Sequence, residues 1–179
     1  MFYDVLMEKR AKRQEAHRNR VQVHAFAYKD NVPHILASFD GRRYNFPGGG
    51  MDGASFGTAA RNEMLEEAGY DIAKARVVAK PKKYTMSEKW QNESLGRRGT
   101  RFKGVRNAIV HAELGQRNLK RYGREGDQMS GLKLYPLEEV ANHMSWYANR
   151  VNRYTEPDAW SREDIRAAQE LQRELKRRG

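Results

Sequence analysis

Three glutamates that lie close together in the sequence are the residues of this chain best suited to chemistry. Glu66 and Glu67 follow Glu63 at three and four positions, and in a helix such positions are neighbours on the surface. The three side chains would cover an arc of roughly 100°, and like charges at that separation repel one another. Because hard divalent cations such as Mg²⁺ or Mn²⁺ bind clustered carboxylate oxygens, this spacing predicts a metal site.

The predicted helix that carries these glutamates has a start, an end and a buried face. Ser55 is a candidate N-cap, and Gly69 is a candidate C-terminal glycine in the left-handed conformation. Its apolar residues recur at every fourth position: Phe56, Ala60, Met64 and Ala68. A solvated glutamate cluster on a surface helix is the alternative, and it is favoured for Glu66 and Glu67 alone. The third carboxylate and the preceding glycine turn, residues 48–50, favour the metal site.

The stretch from Phe46 to Tyr70 closely resembles the Nudix box, whose pattern is G-x5-E-x7-R-E-U-x-E-E-x-G-U with U bulky and apolar. The positions that fit are Gly48, Glu63, Met64, Glu66, Glu67 and Gly69, with Tyr70 as a loose match at the end. Two positions depart, because Ala54 replaces the first glutamate and Asn62 replaces the arginine. In the family those two residues commonly pair and help to orient the metal-binding helix, so their loss bears on rate and metal affinity. Arg61 lies one residue away, about 100° around the helix, and is a poor replacement.

The resemblance implies both a fold and a reaction. The fold would be an α/β (α+β) domain, a Nudix-type α/β/α sandwich with a mixed sheet between helices. The reaction would be hydrolysis of a phosphoanhydride in a nucleoside diphosphate linked to another group. Mg²⁺ or Mn²⁺ would be the cofactor, held by Gly48, Glu63, Glu66 and Glu67. The catalytic candidates are Glu66 and Glu67, or an acidic residue on a later loop, Asp127 or Glu125, for which a solvated glycine turn is the alternative.

A basic stretch at residues 82–106 is the candidate substrate-binding region. Three arginines there are suited to bidentate contacts with phosphate oxygens: Arg97, Arg98 and Arg101. Trp90 and Phe102 are candidates for stacking on a nucleobase, although single aromatic residues more often serve packing. This stretch is therefore expected to hold the nucleotide while the glutamates hold the metal.

Alternating and periodic apolar patterns divide the chain into strands and helices. Strands are predicted at residues 21–28, 34–39, 44–46, 75–79, 105–114 and 132–135, and helices at 5–19, along the glutamate stretch, at 136–146 and from 161 onward. These elements are interpreted as one domain, residues 1–179, with a core at about 20–146 and helical extensions at 1–19 and 156–179. His24 and His111 fall inside predicted strands and are interpreted as partly buried strand residues rather than ligands.

Composition narrows the class of protein further. The chain has 179 residues and no cysteine, which excludes disulfides and thiolate metal sites and fits a cytoplasmic protein. No apolar run approaches the length that spans a membrane. Lysine and arginine number 34 against 23 acidic residues, and the resulting net charge of +11 favours anionic partners such as nucleotides or RNA.

Two classes of function compete for this sequence. The first is a Nudix pyrophosphohydrolase that acts on ADP-ribose, NAD(H), a dinucleoside polyphosphate or a nucleoside triphosphate. The alternative is an RNA-directed protein, either an enzyme that removes a 5′ cap or pyrophosphate, or a binding module with weakened catalysis. Ala54, Asn62 and the net charge support the alternative, whereas retention of all three glutamates favours the enzyme. The terminal helices leave a homodimer, nucleic-acid binding and simple packing as unranked alternatives.

Overall fold

The computed structural model describes residues 17–78, 82–85, 88, 91–92, 102–119, 122, 129–151 and 159–177. The strands are β1 (His17–Lys29), β2 (Val32–Phe39), β3 (Tyr44–Asn45), β4 (Gly48–Gly50), β5 (Tyr70–Val77), β6 (Lys82–Thr85), β7 (Gly104–Arg117) and β8 (Lys133–Pro136). The longer helices are α1 (Phe56–Glu63), which continues directly into a π-helical segment (Met64–Ala68), α2 (Leu137–Val151) and α3 (Ala159–Lys176). The three glutamates therefore lie between β4 and β5.

The described strands form one mixed sheet with β1 and β7 at its centre. Its main path runs β3-β2-β1-β7-β5, while β4, β6 and β8 pair with β1, β7 and β2 respectively. β1 and β7 are parallel, from His17 opposite Gly104 to Phe26 opposite Glu113, and the other pairs are antiparallel. Successive residues of a strand face opposite sides of the sheet, so β1 contributes apolar side chains to both faces.

Helices cover both faces of this sheet. On one face, α1 and the π-helical segment pack onto a core that includes Val21, Val23, Ala60 and Met64. On the other face, α2 and α3 pack onto a core that includes Phe26, Ile35, Leu137 and Leu171. Burial of these side chains is the main favourable contribution to stability. The predicted α/β/α sandwich with a mixed sheet is confirmed by this layering.

Several element boundaries differ from the predictions, including the end of α2, which reaches Val151 rather than residue 146. β1 begins at His17, so the predicted helix at 5–19 is wrong for residues 17–19, and its remainder lies outside the described residues. β5 begins at Tyr70 rather than Ala75, and β7 continues to Arg117, past the predicted end at residue 114. For each of these strands a neighbouring strand supplies backbone hydrogen bonds that no local apolar pattern signals. The polar start of β1, for example, pairs with both β4 and β7.

The predicted C-terminal extension corresponds to α3, whose Leu171 and Leu175 are buried. The predicted N-terminal helix falls mainly on residues 1–16, outside the described part of the chain, and the division into one domain stays a prediction. None of the helices in the described ranges combines the length and the apolar character that crossing a membrane requires.

Candidate functional site

The helical stretch formed by α1 and the π-helical segment begins and ends at the residues that the sequence predicts. Ser55 is in an extended conformation, and its Oγ accepts a hydrogen bond from the Thr58 N–H at 3.2 Å, which satisfies one of the unpaired donors of the first turn. Gly69 closes the helical stretch with a φ of 69°, a left-handed conformation that glycine adopts without steric cost. Ala60 and Met64 are fully buried, so the face that carries the glutamates is fixed relative to the sheet.

The second half of this helix is wider than an α-helix. The Gly69 N–H donates to the Met64 carbonyl, a five-residue step in place of the usual four, and residues 64–68 form a π-helical segment. Single π turns occur frequently at functional sites. Glu66 and Glu67 lie on this segment, whereas the sequence interpretation treated the whole stretch as α-helical.

The glycine strand β4 lies directly against two of the glutamates. The Gly48 N–H donates to Glu67 Oε2 at 2.8 Å. The Glu63 carboxylate lies over Gly49, where any Cβ atom would collide with it. Glycine leaves room here for the Glu63 side chain to approach the backbone, and the structure brings together three of the predicted metal ligands: Gly48, Glu63 and Glu67.

Two arginines of β1 reach the same glycine strand, and the sequence interpretation missed both. Arg20 Nη2 donates to the Gly48 carbonyl at 3.3 Å, and the Arg18 guanidinium lies against Gly50. Residues two apart in a strand share a face, so their spacing is a signal that would have paired them. It is obscured in the sequence because Arg18 falls inside the helix predicted at 5–19, whereas Arg20 lies beyond its end.

The electrostatic field at the site is dominated by the glutamates. Burial and the neighbouring Glu67 and Glu66 carboxylates together raise the pKa of Glu63 to about 7, with a smaller contribution from Asp52, while Arg20 opposes the shift. Burial and nearby like charges both disfavour the ionised form of a carboxyl group. The ionised form of Glu63 is therefore disfavoured in the absence of a cation, and a cation at this position would relieve the crowding of negative charge.

The donor chemistry of this cluster fits a hard divalent cation. Carboxylate and carbonyl oxygens are the ligands that Mg²⁺ and Mn²⁺ accept, and Glu63 has carboxylate neighbours whose charge such an ion would neutralise. Within the described ranges, however, no three His, Cys, Asp or Glu side chains converge as a metal-binding group. One oxygen of Glu67 instead holds the Gly48 N–H.

The remaining predicted residues fall in different places. Phe102 is half-buried just before β7, and the substrate and later-loop base candidates that lie outside the described residues are Trp90, Arg97, Arg98, Arg101, Glu125 and Asp127. Asn62 is half-buried, and Arg61 is exposed, in keeping with its interpretation as a poor replacement for the box arginine.

The two strand histidines are more deeply buried than predicted. His24 is 0% exposed and His111 is 3% exposed, and their rings stack with centroids 5.8 Å apart. The register of the parallel pair β1 and β7 places them directly opposite one another. The pair belongs to the core of the sheet rather than to the glutamate cluster.

No family model matches this sequence, and no curated protein matches it either. Solved structures do resemble the fold. An ADP compounds hydrolase superposes with a TM-score of 0.52 at 21% identity, over 93% of this chain and 77% of that chain. A NUDIX hydrolase candidate from Listeria monocytogenes superposes with a TM-score of 0.53 at 16% identity, over 89% and 94% of the two chains. The chain therefore has the fold of the Nudix hydrolases.

Proposed function

We propose that this protein is a metal-dependent pyrophosphohydrolase that cleaves a nucleoside diphosphate linked to another group. The observation that carries the proposal is the contact of Glu63 and Glu67 with the glycine strand, at Gly49 and Gly48 respectively. The carboxylates lie against the glycine strand β4, which has no side chains, and negative charge is concentrated there. The fold that carries this arrangement is shared with an ADP compounds hydrolase. A protein that only bound nucleotides would have no use for acidic side chains facing an anionic ligand.

Different residues of the chain would bind the metal, position its ligands and accept the proton. The Gly48 carbonyl, Glu63, Glu66 and Glu67 would hold Mg²⁺ or Mn²⁺, which when bound supplies positive charge to the diphosphate and activates a water. Glu67 also fixes the strand by accepting from the Gly48 N–H, so the ligands are positioned relative to each other. Glu66, Glu67 and Asp127 are the candidates for accepting a proton from the attacking water.

The substrate would be held by the basic stretch that precedes β7. Arg97, Arg98 and Arg101 are the proposed contacts to the diphosphate, and Trp90 and Phe102 the proposed stacking partners for the base. An ADP-containing compound is the first substrate class to test, because one of the similar folds belongs to a hydrolase of ADP compounds.

The test is a hydrolysis screen with the full chain. ADP-ribose, NAD(H), a dinucleoside polyphosphate, nucleoside triphosphates and 5′-capped RNA would each be incubated with Mg²⁺ or Mn²⁺, and released nucleoside monophosphate measured by chromatography. Glu67→Gln should lower turnover by about two orders of magnitude or more while the fold is kept. Glu138→Gln is the matched control, because Glu138 is exposed at the start of α2. Equal turnover in wild type and Glu67→Gln would overturn the site assignment.

The net charge of +11 favours one second candidate, an RNA-directed protein on the same fold. Binding that depends on neutralised phosphates weakens steeply with salt. RNA affinity that falls by orders of magnitude between low and moderate salt, with no release of nucleotide from any substrate, would support this candidate over the hydrolase.

A further inference from the structure

The Gly48 peptide lies between opposite charges. Its N–H donates to Glu67 Oε2 at 2.8 Å, and its carbonyl accepts from Arg20 Nη2 at 3.3 Å. That carbonyl is also one of the proposed metal ligands. In this structure the oxygen atom that would bind a divalent cation is therefore bound by a guanidinium group of the protein itself.

Arg20 is built into the site rather than lying at its rim. Its side chain is half-buried, and its Nε atom is shielded from solvent. Arg20 thus acts directly on a carbonyl oxygen of the proposed metal-binding set.

The Nudix box of this chain lacks the cation that the family pattern contains. Asn62 occupies that position, and the neighbouring Arg61 is exposed. Arg20 supplies positive charge to the same cluster from a different element, because β1 pairs directly with β4 and places Arg20 opposite Gly50. A strand outside the box therefore offsets the glutamates that the box helix presents.

We propose that Arg20 is a positioning residue that stands in for the metal when the metal is absent. It holds the Gly48 carbonyl and supplies positive charge beside the glutamate cluster in the metal-free protein. When a divalent ion takes that carbonyl, like-charge repulsion turns the guanidinium toward a phosphate oxygen of the substrate, which it suits as a bidentate donor. This role rests on the proposed hydrolase function, and it makes Arg20 a competitor of the metal and a partner of the diphosphate.

Loss of Arg20 should raise the affinity for Mn²⁺ and lower the affinity for pyrophosphate. Mn²⁺ affinity of the full chain, measured by electron paramagnetic resonance without substrate, should rise about fivefold or more in Arg20→Met because a competing charge is removed. Affinity for inorganic pyrophosphate in the presence of Mg²⁺, measured by calorimetry, should fall about tenfold because a charged donor is lost. Arg20→Lys should restore the wild-type Mn²⁺ affinity, and Arg61→Met should change neither value.

A purely structural role for Arg20 would weaken both affinities together, and that result would overturn the proposal. A measurement on the wild-type protein covers the case in which Arg20→Met does not fold. The Arg20 side-chain N–H resonance should shift during a Mg²⁺ titration with the same midpoint as the Gly48 amide. An unmoved Arg20 resonance, while the Gly48 amide shifts, would contradict the exchange of partners.

The Glu67→Gln variant distinguishes a failure of the proposed role of Arg20 from a failure of the proposed metal site. Loss of Mn²⁺ binding in Glu67→Gln, together with unchanged Mn²⁺ affinity in Arg20→Met, would overturn the role of Arg20 and leave the metal site intact. Wild-type protein that binds no Mn²⁺, or Glu67→Gln that binds it equally well, would overturn the proposed site and the role of Arg20 together.

Discussion

At the scale of single residues, the site depends on two glycines, which have no side chain, as much as on its charged side chains. Gly48 and Gly49 are consecutive, yet a Cβ atom would meet different obstacles at the two positions. At Gly48 it would overlap the Val21 backbone carbonyl, whereas at Gly49 it would meet only the end of the Glu63 side chain. A backbone atom cannot move without disturbing the sheet, but a carboxylate can rotate away.

Alanine at these two positions should therefore separate stability from metal binding. Gly48→Ala should lower the free energy of unfolding by about 1–3 kcal/mol because it overpacks the β1–β4 pairing. Gly49→Ala should leave the free energy of unfolding nearly unchanged but lower Mn²⁺ affinity by about tenfold, because Glu63 is displaced. Urea unfolding and Mn²⁺ binding measure the two effects, and equal losses of stability in both variants would contradict the distinction.

Residue types and spacing predict only part of this site. The three glutamates were found from a local helical period, and the glycines from their fixed distance to that helix. Arg18 and Arg20 were not found, because their role depends on the pairing of β1 with β4, and charged residues in a row fit a helix surface equally well. Spacing within one element is visible in a sequence, whereas contact between elements is not.

At the scale of elements, the glutamate helix was predicted well at its ends and incompletely inside. Ser55 and Gly69 have chemical roles that hold in almost any context, namely a side-chain acceptor and a left-handed backbone. The π-helical segment over Met64–Ala68 has no comparable local signature. It moves Glu66 and Glu67 relative to an ideal α-helix, so helix geometry alone does not give their directions.

The same helix contains a glycine with no evident structural need. Gly57 lies in the first turn of α1, and a Cβ atom there would meet nothing within 4 Å. Gly57→Ala should raise the free energy of unfolding by about 0.4–1 kcal/mol, because alanine loses less backbone entropy on entering a helix. Urea unfolding measures the change.

Gly53→Ala provides the contrasting control for that substitution. Gly53 also has open space around it, but its φ is 86°, which disfavours any residue with a Cβ atom. The free energy of unfolding should therefore fall by more than the gain expected at Gly57. A rise in stability for Gly53→Ala would show that backbone strain does not control this turn.

At the scale of the whole molecule, the central parallel pair joins segments that are distant in the sequence. β1 and β7 place His24 and His111 opposite each other, with their rings stacked. Each histidine was correctly assigned to a strand, but their contact follows only from the topology. The layered fold was predictable because each element has an apolar face, whereas the register between β1 and β7 was not.

This buried pair makes the stability of the whole molecule sensitive to acid. Burial, with smaller contributions from His24 and Arg76, lowers the pKa of His111 from 6.5 to about 3, while the Ala167 backbone opposes the shift. Between those two pKa values the unfolded chain binds a proton that the folded protein does not, so stability falls as pH decreases below 6.5. At pH 5 the loss from this group amounts to up to about 2 kcal/mol.

His111→Leu should therefore flatten the pH dependence of stability between pH 7 and pH 5, whatever it does to stability at pH 7. The comparison is between slopes of the free energy of unfolding, measured by urea denaturation at several pH values without metal. His34→Leu is the control, because His34 lies on β2 away from the buried pair and bonds the Val32 carbonyl, and it should keep the wild-type slope. Identical slopes for wild type and His111→Leu would mean that the acid sensitivity of the fold originates elsewhere than in the packing of β1 against β7.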